Sequence, residues 1–392
     1  METSNQERVA ELTPVVERVL GAALEERVFV RDGHAFPGRT NVYRYYLEGH
    51  SAQIPASVIV KRAPDGHPYD PDATEFPAPA WFLFNNWAGS AFLQTVQGVA
   101  PIGPRFYGGD RDAGLIVVED LGEVTGLHDL LQRTDPAIAE ARLLQFAALL
   151  GRMHAETVGC EAEYNRLREA LGPHARTAFY TYAWMDPAWK AAVDALALAP
   201  SSACQRELHA LIAAMRTPGP FLAYTHGDPC PDNVLQVNGA LRLIDFDVGG
   251  FRHALTDGVY GRMHFPTCWC VNRLPRQLPV DMERVYRAEL VQGCPVAADD
   301  EQFYRAVVDA CASWAIGMFH FTPLADLLRE DRSWGIATLR QRYLLRLPIV
   351  AQLTEAHGHL EELGATLRLM ADKLERLWRA EVDEVPNYVA FR

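Results

Sequence analysis

The sequence predicts an α+β chain of two lobes, an N-terminal antiparallel β-sheet lobe with a helix and a larger, mostly helical C-terminal lobe. Three observations lead there. Short β-rich runs crowd residues 27–62, helical periodicity takes over beyond residue 122, and one β-like island interrupts the helices at residues 221–245. With 392 residues the chain is long enough for two lobes that each bury a core, and 49% hydrophobic with 22% charged residues is an ordinary globular composition.

The elements follow in order. Residues 6–24 place Val9, Leu12, Val15, Val16, Val19 and Leu20 at helical spacing, which predicts a leading amphipathic helix. The runs VFVRD, NVYRYYLEG and ASVIVKR, separated by Gly and Pro turns, read as an antiparallel meander whose last strand ends in Lys61. A Pro- and Asp-rich loop (64–79) precedes a helix from Trp81 to Gln97, and PRFYGG and GLIVVED then read as two more strands. The turn Glu119-Asp120-Leu121-Gly122 marks the boundary, so the expected domains are 1–120 and 121–392. The second holds a long helix over 136–157, further helices to about residue 216, the β-like island, and helices again from about Met282 to Val382.

Charge and cysteine usage narrow the function classes. Fifty acidic against 37 basic residues give a net charge of -13, which argues against nucleic acid as a partner and favours a cationic small molecule; solubility alone would also account for it. Seven scattered cysteines do not resemble a secreted disulfide framework, and a cytoplasmic location is expected. The N-terminus lacks a basic region followed by an apolar run, and no stretch reaches roughly 18 uninterrupted apolar residues, so neither export nor a membrane partner is expected. Oligomeric state is left open.

The island carries the chemistry. It reads FLAYT, HGDPCPDN, VLQV, NGA, LRLID and FDVGG, with strands at Val234–Val237 and Leu241–Ile244 joined by the Asn238-Gly239 hairpin signal. A hairpin returns to where it began, so the loop with Asp228 and Asn233 and the one with Asp245 are expected side by side. Phosphoryl transfer from ATP needs a carboxylate to take the hydroxyl proton and oxygen ligands for Mg²⁺ on the phosphates, and these three residues supply that set.

On these residues the chain resembles the aminoglycoside phosphotransferase and choline kinase family of protein-kinase-like small-molecule kinases. That family's catalytic loop reads His-Gly-Asp, four residues, Asn, then a strand and Asp-Phe. Here the pattern is His226-Gly227-Asp228, Asn233 and Ile244-Asp245-Phe246. The resemblance implies a bilobal protein-kinase-like fold, with Asp228 as catalytic base, His226 ordering the loop, Asn233 and Asp245 binding Mg²⁺, and Pro229, Cys230 and Pro231 as spacers. Lys61 would contact the α- and β-phosphates of ATP, or of GTP as the alternative donor. Gly38, Arg39 and Thr40 would approach phosphate through backbone N–H groups, or simply form a hairpin turn. Glu119 and Leu121 would belong to the adenine hinge, and Asp257 would brace the catalytic loop or lie on the surface.

One departure from the family pattern stands out. The glutamate that pairs with the nucleotide lysine is absent from WFLFNNWAGSAFL, so either Asn86 or Glu75 from the preceding loop is the expected substitute, or Lys61 is less firmly positioned. That departure keeps a second reading open, a nucleotide-binding pseudokinase without turnover. HFPTCWC raises a zinc reading through His264, Cys268, Cys270 and His253, against which the Cys-x-Cys spacing and apolar setting favour packing. His357-Gly358-His359 reads as a turn between helices. Acceptor binding, by the same resemblance, falls in residues 248–340, whose acids and aromatics, Trp269 and Trp314 among them, suit an amino alcohol, an aminoglycoside or a sugar-like molecule, though most read as surface and core.

Overall fold

The computed structural model describes residues 2–49, 51–96, 98, 100–133, 135–174 and 181–392. The first half holds α1 (Glu2–Leu24), β1 (Phe29–Ala35), β2 (Val42–Glu48), β3 (Ser57–Arg62), α2 (Pro79–Thr95), β4 (Phe106–Asp110), β5 (Leu115–Glu119), β6 (Thr125–Gly126), α3 (Leu127–Leu131), α4 (Pro136–Thr157) and α5 (Glu161–Glu169). The second holds α6 (Met185–Ala195), α7 (Ser202–Arg216), β7 (Leu222–Thr225), β8 (Val234–Val237), β9 (Ala240–Leu243), β10 (Gly250–His253), α8 (Leu278–Leu290), α9 (Asp300–Phe321), α10 (Leu339–His357) and α11 (Glu361–Trp378). Mixed α+β architecture with an N-terminal antiparallel sheet and a helical remainder is therefore observed. Contacts divide the chain into two compact units: Met1–Val124 with Cys160–Ala175 and Val237–Gly250, and Thr125–Gly159 with Arg176–Gln236 and Phe251–Arg392.

In the first unit five strands pair in the order β1-β2-β3-β5-β4. Strand periodicity decides what each face carries. Val58 and Val60 of β3, with Leu115 and Val117 of β5, meet Val9, Leu12, Val16, Val19 and Leu20 of α1 in one buried cluster. The alternate residues Ile59, Ile116 and Val118 pack with Leu83 and Phe84 of α2 on the other face. Lys61 has the parity of Ile59, so it projects from the α2 side, opposite α1, and a one-residue slip in β3 would move it into the α1 core. The α2 helix starts two residues earlier than the sequence suggests because Pro79 fits a first helical turn, where no N–H is needed. Gln97, the expected last residue of that helix, lies outside the described residues.

The second unit is built on helices. The long helix expected over 136–157 is α4, capped by the Asp135 carboxylate accepting from the N–H groups of Ala137 and Ile138. Of the helical stretch expected to residue 216, residues 175–180 lie outside the described residues. The helices expected from Met282 begin at Leu278, again with a proline in the first turn. In the first unit, Asn238 and Gly239 both adopt left-handed φ, 50° and 84°, the conformation of a two-residue hairpin turn. Gly358 ends α10 at φ 58° in the turn before α11. Among the described residues no helix is long and apolar enough to cross a membrane.

Candidate active site

In the second unit the segment after β7 is held by its main chain. Asp257 is fully buried, and its carboxylate accepts hydrogen bonds from the N–H of His226 at 2.6 Å and of Gly227 at 3.2 Å. His154 Nε2 lies 3.5 Å from the same carboxylate, and His154 Nδ1 is 2.8 Å from the Tyr286 hydroxyl. Burial pushes the Asp257 carboxyl up, and the His154 hydrogen bond with the charges of His154, Arg252 and His226 outweighs it, so the net direction is down. A buried carboxylate with that many donors stays ionised and fixes the loop.

His226 has no solvent exposure, and its Nδ1 accepts from the Asp228 N–H at 3.3 Å, which turns the chain sharply at Gly227, where φ is 84°. Asn233 Nδ2 donates to the Asp228 carbonyl at 3.0 Å and so spans the loop. With the amide nitrogen engaged there, the amide oxygen is the atom Asn233 offers a cation. The Asp228 carboxylate accepts from the Thr267 hydroxyl, and Tyr260 donates to the Gly227 carbonyl at 3.3 Å. Burial drives the Asp228 carboxyl above its ordinary value; Asp232 and Asp257 add to that, and the Thr267 hydrogen bond and His226 only moderate it. Cys230 and Cys268 are paired in a disulfide with Cα atoms 5.5 Å apart, and Cys230 Sγ lies 3.0 Å from Asp228 Oδ1.

In the first unit Lys61 pairs with Asp245. Asp245 takes a left-handed φ of 67°. Asn86, the expected partner of Lys61, instead donates to Asp247 Oδ1 at 3.0 Å and accepts from Ser90 at 3.3 Å, while Glu75 is exposed. Asn85 donates to the Asp247 carbonyl at 3.1 Å and accepts from the fully buried Arg168 at 2.9 Å. The asparagine pair on α2 thus holds the segment around Asp245 and Asp247, and the lysine finds its carboxylate on that segment. Glu119 accepts from Arg242 at 2.8 Å and from the Arg105 N–H at 2.9 Å. Leu121 is half-buried in the turn after it, and Asp120 in that turn is held by Ser57 at 2.7 Å and by Arg44. Gly38, Arg39 and Thr40 form an exposed turn with Gly38 at φ 73°.

The model of the phosphotransferase enzyme family known as APH matches residues 33–279. The chain belongs to that family. It is a small-molecule kinase, and the family's span runs from β1 through the segment His226 to Asp245 to the start of α8. No curated protein matches the chain. Among solved structures it is similar to a choline kinase from Streptococcus pneumoniae, at 14% identity over 87% of this chain and 99% of that one, with a TM-score of 0.41. A putative aminoglycoside phosphotransferase from Ralstonia eutropha is similar at 13% identity, over 92% and 98% of the two chains, with a TM-score of 0.47. A macrolide 2'-phosphotransferase from Brachybacterium faecium gives 13% identity, 81% and 94%, and 0.44.

Within each unit the family residues are brought together: His226, Asp228 and Asn233 with Asp257 in the second, Lys61 and Asp245 in the first. Thr267 and the Cys230–Cys268 pair carry no motif, so their approach to Asp228 is visible only in the fold. The imagined zinc set does not assemble. His264 Nδ1 accepts from the Leu274 N–H at 3.1 Å, His253 Nδ1 accepts from the Leu255 N–H at 3.2 Å, and Cys270 is a free, buried thiol. Trp314 donates to the Thr256 carbonyl at 2.8 Å, whereas Trp269 is 41% exposed.

Proposed function

We propose that the protein transfers the γ-phosphate of ATP, or of GTP, to a hydroxyl of a small molecule such as an amino alcohol, aminoglycoside or sugar. The observation that carries the reading is Asp228: a carboxyl with raised proton affinity, on a loop pinned at three points by Asp257, His226 and Asn233. Such a group takes a proton near neutral pH more readily than an ordinary carboxylate. In this reading Asp228 orients the acceptor hydroxyl and receives its proton as the phosphoryl group leaves ATP.

Asn233 and Asp245 fit Mg²⁺ in donor chemistry, since one amide oxygen and one carboxylate are hard ligands and the cation keeps waters and phosphate oxygens for its remaining positions. Bound Mg·ATP supplies the γ-phosphoryl group and neutralises the charge on the phosphates. Lys61, which pairs with Asp245, would exchange that partner for phosphate oxygens, and Asn86 keeps Asp247 in place rather than the lysine. Glu119 and Leu121 would flank the adenine, and Gly38, Arg39 and Thr40 would cover phosphate.

The test is a panel of amino alcohols, aminoglycosides and sugars assayed for ADP release with Mg²⁺ and with chelator. Acceptor-dependent release that needs the cation supports the reading. Nucleotide binding without release across the panel would leave the pseudokinase instead.

A further inference from the structure

The sulfurs of Cys230 and Cys268 and a carboxylate oxygen of Asp232 all lie within 4.8 Å of one another. Both cysteines are buried, at 3% and 0% exposure. The carboxylate is already oriented, because Trp269 Nε1 donates to Asp232 Oδ2 at 3.0 Å. Its other oxygen, Oδ1, is buried and has no hydrogen-bond partner among the described residues. A disulfide has no proton to offer a carboxylate, and a buried oxygen without a donor is held at a cost. A divalent cation between two thiolates and the carboxylate would satisfy all three groups.

We propose that the reduced Cys230, Asp232 and Cys268 form a site for a soft divalent metal, with Zn²⁺ the chemical match. Two thiolates and one carboxylate with a fourth position left for water suit Zn²⁺ and disfavour Mg²⁺, which wants oxygen throughout. The indole of Trp269 supplies the outer hydrogen bond that orients the ligating carboxylate. A thiol or phosphine reductant gives the disulfide two electrons, and with two protons the S–S bond becomes two thiols. Zn²⁺ then displaces those two protons as two Zn–S bonds form. The site shares its loop with Asp228, whose Oδ1 lies 3.0 Å from Cys230 Sγ. Occupancy therefore slows turnover, a consequence that rests on Asp228 being the base.

The full chain, reduced with a phosphine and stripped by chelator, is titrated with Co²⁺ as a spectroscopic stand-in. One equivalent should produce thiolate-to-cobalt charge-transfer absorption that Zn²⁺ abolishes. Cys268→Ser should lose the band, and Asp232→Asn should bind at least about tenfold more weakly, with circular dichroism showing both variants folded. A missing band, or a band unchanged in Cys268→Ser, would overturn the site. So would finding the pair oxidised in the purified protein with no metal uptake after reduction, which would leave a plain disulfide. Turnover is read separately: Zn²⁺ should slow ADP release by wild type and not by Cys268→Ser. If the band appears but Zn²⁺ leaves wild-type release unchanged, the metal site stands and its coupling to Asp228 is overturned. The cobalt spectrum needs no activity, so loss of the kinase reading would not be mistaken for loss of the site.

Discussion

At the scale of single residues, the half-buried Asp228 and the fully buried Asp257 show opposite electrostatics. Asp228 is raised by burial, so its protonated form favours the folded state: that contribution is present below the unfolded value and is lost as pH rises through the raised folded value. Asp228→Asn should accordingly melt no lower than wild type at pH 8, and the gap should close in acid, while turnover falls by about 10²- to 10⁴-fold. A variant that melts well below wild type at pH 8 would show the carboxylate to be stabilising and the account of its setting wrong. Asp257 is lowered, so its contribution is present above the unfolded value and lost as pH falls through the folded one. Asp257→Asn should cost about 3 kcal/mol in denaturant unfolding at neutral pH, because the His226 N–H and His154 lose a buried anion. A loss under about 1 kcal/mol would mean the loop holds itself.

At the scale of elements, α10 explains how a segment with no regular structure is placed beside Asp228. Arg346, fully buried, donates to the carbonyls of Met263 at 2.9 Å, Phe265 at 3.2 Å and His264 at 3.3 Å. Arg342, one turn earlier, donates to the carbonyls of Cys268 and Trp334, both at 2.7 Å. Burial pulls the Arg342 guanidinium down to about 10, still charged at neutral pH. Between the residues these arginines hold sits Thr267, which donates to Asp228. Arg346→Met should therefore cost roughly 2–3 kcal/mol through orphaned carbonyls and also lower kcat with little change in nucleotide KM. An unfolding loss with kcat intact would separate the clamp from the catalytic loop.

Much of this was legible in the sequence, and the part that was not has a physical cause. SVIVKR read as a strand closing on Lys61, as β3 does, and the Asn238-Gly239 signal marked the hairpin turn between β8 and β9. The α2 asparagines were visible as a departure, but their partner was not, because Asp247 lies 161 residues from Asn86 along the chain. Cys230 read as a spacer between prolines; only long-range packing brings it to Cys268, 38 residues on. Local signals specify elements and turns, whereas pairings across such separations depend on tertiary packing that no window of sequence contains.

At the scale of the whole molecule, the net charge of -13 biases encounter rather than chemistry. For a cationic acceptor kcat/KM should fall as ionic strength rises from about 0.01 to 0.15 M, where the screening length shrinks from roughly 30 to 8 Å, and a neutral acceptor should show no such dependence. Equal salt responses for both would assign the acidity to solubility alone. The chain is a small-molecule kinase by family, and in the proposed mechanism Asp228 receives the proton of the acceptor hydroxyl. That claim is tested most directly by measuring Mg²⁺-dependent ADP release and equilibrium ATP binding side by side for wild type and Asp228→Asn, with an acceptor found active in the panel. The account predicts near-equal ATP affinity and turnover lost by at least about 10²-fold; turnover within a few fold of wild type would contradict it.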